Sequence, residues 1–379
     1  MSEAATNFHP SPRPGGPAFA ALDLGTNNCR LLVGAPTHEG FRVLDSFSRI
    51  VRLGEGLQTS GQLSPLAMDR AIEALHGCAA RLARRPVRAV RAIATEACRR
   101  AGNGPQFLAR VQAETGLHFD VISTREEAEL ALESCGPLLR GAGRRALLFD
   151  IGGGSTELAW VRLPGAPNPP TTGSAPNLPS TGGTPELIGY ASLSLGVVTL
   201  SEQFGPAAFT QAGFDAMVDH VATRLLPFER THCIRQEARA GGVRMLGTSG
   251  TVTTLAGVAM GLDRYRRPLV DGTTLSPADA GRALSILQGL GHAGLAAHPC
   301  VGADRVEYVL PGCAVFEAIR RLWPLGPVIV ADRGLREGML LRLMRRQAAR
   351  QPHRQPSDRQ PSDRQGSPVP AVPPTTLLA

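Results

Sequence analysis

The stretch ALLFDIGGGSTELAWVRL at residues 146–163 decides the fold of this 379-residue chain. An apolar run ends at Asp150, three glycines follow, and a second apolar run begins after Ser155. Apolar runs on both sides of a glycine turn predict two strands joined by a tight loop. Because glycine has no side chain, such a loop also lets backbone N–H groups come close to a phosphate.

The same pattern stands earlier in the chain, in FAALDLGTNNCRLLVG at residues 19–34. Asp23 again ends an apolar run, and Gly25, Thr26 and Asn27 follow it. Two halves that each place an Asp-x-Gly turn at a strand end indicate duplicated domains that face each other across a cleft. Any one of these turns, taken alone, also fits an ordinary tight hairpin.

A third small-residue turn lies in RMLGTSGTVTTLAG at residues 244–257, ahead of a segment with helical character. The N-terminus of a helix attracts anions. The three turns together favour a clamp for phosphate groups. The predicted phosphate-binding residues are Gly25, Thr26, Asn27, Gly152, Gly153, Gly154, Ser155, Gly247, Thr248, Ser249 and Gly250.

Strand-like and helix-like segments alternate between these turns, which predicts an α/β fold with a partly parallel sheet. Residues 87–94 and 118–123 have the character of strands, whereas 64–84 and 124–135 have helical spacing. Residues 164–185 are almost entirely Pro, Gly, Ser and Thr between two strand-like runs, and we interpret them as an extension of a hairpin.

The composition excludes several classes of chemistry. All 40 basic residues are arginine, so there is no Schiff-base lysine, no P-loop lysine and no kinase-type lysine. The net charge of +8 suits phosphate or carboxylate ligands, although a genome rich in arginine codons would give the same excess. Aromatic residues make up only 4%, which argues against stacking on nucleic acid.

The termini and the cysteines point to a cytoplasmic protein. Seven scattered cysteines without a C-x-x-C motif fit a reducing compartment. No signal peptide and no long apolar run is present, so we expect no membrane among the partners, and the low aromatic content predicts no nucleic acid. Residues 1–18 and 347–379 are rich in Pro, Ser or Gln, and we predict that both are disordered.

Three carboxylates accompany the predicted phosphate loops: Asp23, Asp150 and Glu157. Carboxylates beside a phosphate repel it unless a divalent cation lies between them. Mg²⁺ binds through one or two carboxylates together with substrate phosphates, so we predict a magnesium site here. The alternative is that the two aspartates only stabilise turns and that Glu157 is solvated.

The segment Ser123-Thr124-Arg125-Glu126-Glu127 opens a helix directly after a strand. One glutamate could complete a capping box, with either Ser123 or Thr124 as the N-cap, and the sequence leaves that choice open. The other interpretation is a general base that activates water.

Seven segments, taken in order, closely resemble the motifs of the Ppx/GppA phosphatase family, over about residues 19–345. That family contains exopolyphosphatases and guanosine pentaphosphate phosphohydrolases of the actin/Hsp70/sugar-kinase superfamily. The segments are ALDLGTNNCRLLV, AIATEACRRAGN, FDVISTREEAELAL, LLFDIGGGSTEL, SLSLGVVTLSE, MLGTSGTVTTLAG and VADRGLREGML.

The resemblance implies two actin-like, ribonuclease H-like domains with an interdomain cleft. Domain I would be 19–135 plus a last helix at 334–346, and domain II would be 136–333. The family's further C-terminal metal-dependent domain has no counterpart after residue 345, so the chain looks like a short member.

The same resemblance implies a catalytic role for two residues. The family's catalytic glutamate matches Glu127, and the arginine of its T-x-x-R turn matches Arg99. Glu129 stands where the family usually has an arginine, which puts a substrate contact at that position in doubt.

These residues lead to one expected function and two alternatives. We expect a Mg²⁺-dependent exopolyphosphatase that releases terminal phosphate from inorganic polyphosphate by attack of water. The first alternative is the same reaction on guanosine pentaphosphate. The second is a nucleotide-switched or polyphosphate-binding protein without hydrolysis. The sequence leaves a homodimer open.

Overall fold

Two mixed β-sheets, each covered by helices, make up the computed structural model, which describes residues 17–38, 40–141, 143–164 and 183–350. The predicted fold class, α/β with two actin-like domains, is confirmed. The predicted disorder before residue 17 and after residue 350, and the centre of the 164–185 insertion, lie outside the described residues.

The first sheet contains five strands in the order β3-β2-β1-β4-β5. β1 and β2 form the predicted antiparallel hairpin, and β4 lies parallel to β1. The predicted strand at 118–123 is only two residues long, because it pairs with β4 at that edge alone. The strands are β1 (Ala18–Leu24), β2 (Asn28–Thr37), β3 (Gly40–Ile50), β4 (Val87–Ala94) and β5 (Asp120–Val121).

Four helices accompany this sheet on the side of the main domain I core. The helix predicted at 64–84 forms as expected: Ser64 accepts a hydrogen bond from the backbone of Ala67, and Pro65 occupies its first turn. The helices are α1 (Leu57–Ser60), α2 (Pro65–Ala83), α3 (Glu96–Arg100) and α4 (Gly104–Thr115).

The second sheet contains six strands in the order β10-β11-β9-β6-β7-β8. β6 and β7 form the second predicted hairpin, and β9 lies parallel to β6. Since β7 and β8 pair antiparallel, the 164–185 segment joins two adjacent strands. The strands are β6 (Arg145–Ile151), β7 (Thr156–Arg162), β8 (Glu186–Leu193), β9 (Val243–Thr248), β10 (Thr274–Leu275) and β11 (Val328–Ala331).

The second sheet is covered on one face by a large apolar core that includes Phe149, Trp160 and Phe316. Short 3-10 turns connect some of the elements, at Gly136–Leu139, Gly205–Phe209 and Ala303–Arg305. The helices are α6 (Val197–Phe204), α7 (Gln211–His232), α8 (Ile234–Arg239), α9 (Ser249–Ala259), α10 (Arg267–Val270), α11 (Pro277–Gly289), α12 (Gly291–Ala297) and α13 (Val306–Leu322).

Two further helices, α5 (Thr124–Cys135) and α14 (Leu335–Arg350), lie between the sheets. One face of α5 packs on the second sheet through Ala128 and Leu132, while Leu130 joins a core on the first sheet. Met339 and Leu340 of α14 complete that core, so the last helix returns to the first domain. α14 continues four residues past the predicted end, to Arg350.

Two properties of the described residues bear on where the protein works. All seven cysteines are free thiols, and only Cys233 is exposed. Among the described helices, none combines the length and apolar character that crossing a bilayer requires.

Candidate active site

A cavity of about 1240 Å³ lies between the two sheets, at the carboxyl ends of β1 and β6. Both predicted hairpin loops, 25–28 and 152–155, line it. The hairpin pairings place the loops there: each loop follows the last paired residues of its sheet's central strand. The cleft predicted from the repeated Asp-x-Gly turns is therefore present.

The two loops approach each other closely across the cleft. A Cβ atom added to Gly154 would lie only 2.5 Å from Thr26 Oγ1, and one added to Gly153 would lie 3.0 Å from Asn27 Cβ. The loop after β1 is braced from its own domain, since Gly54 N–H donates to Thr26 O over 2.9 Å. Glycine is therefore required at Gly154 for the two loops to meet.

The third predicted turn is not a free loop. β9 continues to Thr248 and α9 begins at Ser249, so the N-terminus of a helix faces the cleft directly. Thr248, Ser249 and Gly250 line the cleft, but Gly247 does not. Gly247 packs within the strand against Phe149, whose Cζ would be 2.5 Å from an added Cβ.

Glu127 lies in the first turn of α5, is buried, and lines the cleft. The structure resolves the capping alternative: Ser123 is the N-cap, and its Oγ accepts from the Glu126 backbone N–H over 3.2 Å. Glu126 points elsewhere, to Arg91 at 2.8 Å. The two adjacent glutamates therefore have different surroundings, and only Glu127 faces the cavity.

Arg99 is placed behind Glu127 and is absent from the cleft lining. Its guanidinium donates to Glu127 Oε2 over 3.2 Å and to Glu96 Oε2 over 2.6 Å. A further bond of 2.9 Å reaches the carbonyl of Ile122. In this arrangement Arg99 can orient the Glu127 carboxylate, so any catalytic role of Arg99 acts through Glu127 and not by contact with the substrate.

Four carboxyl groups line the cleft floor: Glu127 and Glu157 are buried, and Asp23 and Asp150 are partly exposed to the cavity. Burial raises the pKa of Asp150 to about 6, with the Asp23 charge adding to the effect and Arg30 opposing it. Burial and the Asp150 charge raise the pKa of Glu157 to about 7, although Ser192 Oγ donates to it over 3.0 Å. Burial also raises the pKa of Asp23. Glu157 is thus not a solvated strand residue.

The pKa of Glu127 is raised well above its ordinary range, first by burial and next by the Glu157 charge. The Arg99 guanidinium pulls it in the opposite direction. Acids whose charges raise one another's pKa need a compensating cation if they are all to be ionised at neutral pH.

The donor set at this floor is suitable for Mg²⁺. Asp23 Oδ1 and Asn27 Oδ1 are buried with no hydrogen-bond partner in the described part of the chain. Within those same ranges, no three His, Cys, Asp or Glu side chains converge closely enough to enclose a metal ion. Mg²⁺ commonly takes only one or two carboxylates and completes its shell with phosphate oxygens and water, so these oxygen donors fit it.

Arginines line much of the cleft wall, and motif analysis of the sequence did not assign them. Arg30 and Arg305 make no ion pair with a carboxylate among the residues described. Arg305 is instead held by the carbonyl of Cys300 at 2.8 Å. Only Arg30 could have been found from the local sequence. Side chains alternate along β2, which places Arg30 on the same face as Asn28 of the cleft-lining loop. The lining arginines are Arg30, Arg49, Arg52, Arg70, Arg267, Arg305, Arg333 and Arg336.

We expect Asp150→Asn to raise the melting temperature of the ligand-free protein at pH 8, by a few degrees. A buried acid whose pKa is raised to about 6 stabilises the fold below its unfolded value of 3.8, and that stabilisation is lost as the pH rises through 6. The amide carries no charge, so the gain should vanish near pH 4. Thermal unfolding of both proteins in chelator, at pH 8 and at pH 4, measures this difference in melting temperature. Asp219→Asn, at an exposed position on α7, should change neither value; equal shifts at both pH values would contradict the assignment.

Comparison with known proteins agrees with this architecture. The sequence model of the Ppx/GppA phosphatase family matches residues 33–347. An exopolyphosphatase-like protein of known structure is 26% identical, with a TM-score of 0.72, and the match covers 87% of this chain and 98% of that one. An exopolyphosphatase from Cytophaga hutchinsonii is 22% identical (TM-score 0.73; 86% and 98% covered). A Ppx/GppA family member from Aquifex aeolicus is 23% identical (TM-score 0.68; 87% and 98% covered).

Proposed function

Because the chain belongs to the Ppx/GppA phosphatase family, we propose that it hydrolyses the terminal phosphoanhydride bond of inorganic polyphosphate. One observation carries the proposal: two glycine-rich loops meet across a cleft whose floor holds the buried carboxylate of Glu127. Two proteins of similar structure, an exopolyphosphatase and an exopolyphosphatase-like protein, support the choice of substrate.

In the proposed reaction the loop amides and the α9 N-terminus hold the terminal phosphoryl group. Glu127 accepts a proton from a water molecule that attacks phosphorus in line with the bridging oxygen. The P–O bond to the rest of the chain then breaks. The products are orthophosphate and a chain that is one phosphate shorter, which leaves with the bridging oxygen.

Asp23 and Asp150 would hold Mg²⁺, together with Glu157, which is the cross-strand partner of Asp150. When bound, the ion would neutralise negative charge on the phosphoryl oxygens. The carboxylates of the two aspartates would hold the ion in position. The Ser192 hydroxyl, which donates a hydrogen bond to Glu157, fixes the Glu157 carboxylate in place. Orthophosphate release from long-chain polyphosphate should therefore stop in excess chelator and return with added Mg²⁺; full activity in chelator would remove the ion from the proposal.

The arginines of the wall favour a chain of phosphates over a nucleotide. Arg30 and Arg305 offer charge to phosphates next to the reacting one. The ring of Tyr308, which could stack on a base, is already covered by the Arg52 guanidinium, 5.8 Å from its centroid. The test is to compare kcat/KM for orthophosphate release from long-chain polyphosphate and from guanosine pentaphosphate. A higher value on the nucleotide would favour guanosine pentaphosphate, and no release from either would favour a binding protein.

We expect Arg99→Gln to move the acidic limb of the pH–rate profile to higher pH, by about one unit or more. Glu127 must be ionised to accept a proton, and the adjacent guanidinium lowers its pKa. Without that charge, the pKa of Glu127 rises and activity is lost earlier as the pH falls. Arg99→Lys keeps the positive charge, so its acidic limb should lie close to the native pH. An equal loss of rate at every pH would indicate a purely structural role instead.

We also propose a reducing, cytoplasmic setting, which the seven free thiols support.

A further inference from the structure

Five arginines come together at the end of the second sheet that lies farthest from the cleft. They come from three places in the chain: the segment that runs into the start of β6, the end of α8 and the start of β9. We call them the basic cluster: Arg140, Arg144, Arg145, Arg239 and Arg244.

Direct contacts hold the cluster together. Arg144 Nη2 donates to the carbonyl of Gly241 over 3.0 Å, and Arg244 Nη1 donates to the carbonyl of Arg140 over 2.9 Å. The turn that brings α8 next to Arg144 runs through Gly241 and Gly242, both with positive φ. These bonds hold cationic side chains beside one another in a fixed arrangement.

The charge of the cluster is not balanced locally. Elsewhere the arginines often face a carboxylate, as Arg110 faces Asp69 at 2.8 Å. None of the five forms an ion pair with an acid in the described ranges. Like charges at close range repel, and a bound polyanion would relieve that repulsion.

We infer that the basic cluster is a second contact site for polyphosphate, which binds a distant part of the same chain whose end lies in the cleft. This inference rests on the proposed function. β6 runs from the basic cluster to the cleft: Arg145 begins the strand, and the phosphate loop follows its end. Seven residues at about 3.3 Å each separate them by roughly 20 Å. A long chain can reach both, whereas tripolyphosphate cannot.

If the basic cluster binds polyphosphate, KM should depend on the length of the polyphosphate chain. Contacts to a remote part of the substrate lower KM without changing the reacting geometry, so kcat should not depend on the cluster. Binding of a polyanion by arginines releases counterions, which makes it steeply dependent on salt, as for nucleic acids.

The experiment uses the triple variant Arg140→Gln, Arg145→Gln and Arg239→Gln. These three side chains donate no hydrogen bond to the described protein, so their loss should leave the fold intact. With long-chain polyphosphate we expect KM to rise about tenfold and its logarithmic salt slope to fall by about two. With tripolyphosphate, kcat and KM should stay at the native values.

The control is a second triple variant that removes three positive charges from exposed arginines outside the basic cluster. Arg84, Arg224 and Arg346 are exposed, lack a carboxylate partner in the described part, and lie beyond the cluster's elements. Their triple replacement by Gln should raise KM for long chains less than about twofold. Equal KM values in the two triple variants would overturn the inference.

Two further outcomes are informative. If the cluster variant loses affinity for a single-stranded polynucleotide while KM for long polyphosphate is unchanged, the site belongs to nucleic acid and the inference is wrong. If the native protein releases phosphate from neither chain length, the proposed function fails first. Should the triple variant not fold, Arg239→Glu alone must raise KM for long chains only.

Discussion

Glu127→Gln is expected to lower kcat by about 10²–10⁴-fold while KM for polyphosphate changes little. The amide keeps the shape of the carboxylate and can still meet the Arg99 guanidinium through its oxygen, 3.2 Å away in the native protein. It cannot accept a proton at neutral pH. Steady-state release of orthophosphate, with substrate varied through KM, separates the two effects.

Glu126→Gln is the matched control on the same helix turn. That carboxylate pairs with Arg91 at 2.8 Å and lies near Arg342, outside the cleft. Partly exposed pairs of this kind contribute about 1 kcal/mol or less, so turnover should stay within about threefold of the native rate. If Glu126→Gln were the crippling change, the assignment of the base would be off by one residue. If both were silent, the hydrolytic mechanism on α5 would be wrong.

Gly196→Ala is expected to reduce turnover by about 10²-fold or more, because it displaces the phosphate loop after β6. Gly196 precedes α6 and packs on that loop: an added Cβ would lie 2.5 Å from Gly152 O and 2.6 Å from Gly153 O. These are backbone atoms that also accept hydrogen bonds from α6, over 3.0 Å from Val197 N–H and 2.8 Å from Val198 N–H. The loop cannot move without losing those bonds.

The same substitution should destabilise the protein by about 1–3 kcal/mol, since overpacking forces backbone shifts. Gly281→Ala provides the control for the chemical change itself. Gly281 lies inside α11 with open space where a Cβ would stand, so alanine there should leave turnover unchanged and slightly stabilise the helix. Phosphate release and thermal unfolding of both variants are the measurements. Native turnover in Gly196→Ala would show that the loop tolerates a shift or takes no part in catalysis.

The sequence alone determined the features that depend on neighbouring residues. Apolar runs flanking Gly25 and Gly152 produced both hairpins, because a turn of small residues between strand-forming segments has few other conformations. Ser64 and Pro65 correctly marked the start of α2. The cleft was also predictable, since two Asp-x-Gly turns at strand ends imply two similar halves.

Only the tertiary structure decided which side chains share the cleft. Arg30 and Arg305 are far apart in sequence, and packing of β2 and of the 3-10 turn before α13 around the same cavity brings both to its wall. The motif resemblance implies a catalytic role for Arg99, and its guanidinium bonds to Glu96 and Glu127 behind the cavity. Gly247 has the sequence of a loop residue but lies in β9, because the strand pairs with β6 as far as Thr248.

The difference has a physical reason. Hydrogen bonds in turns and caps join residues only a few positions apart, so a short pattern specifies them. An ion pair or a shared cavity depends on the direction of each side chain after the helices and sheets have packed, and no local pattern encodes that direction. The sequence therefore determined both loops and the helix that carries Glu127, whereas packing decided what surrounds its carboxylate and which arginines gather far from the cleft.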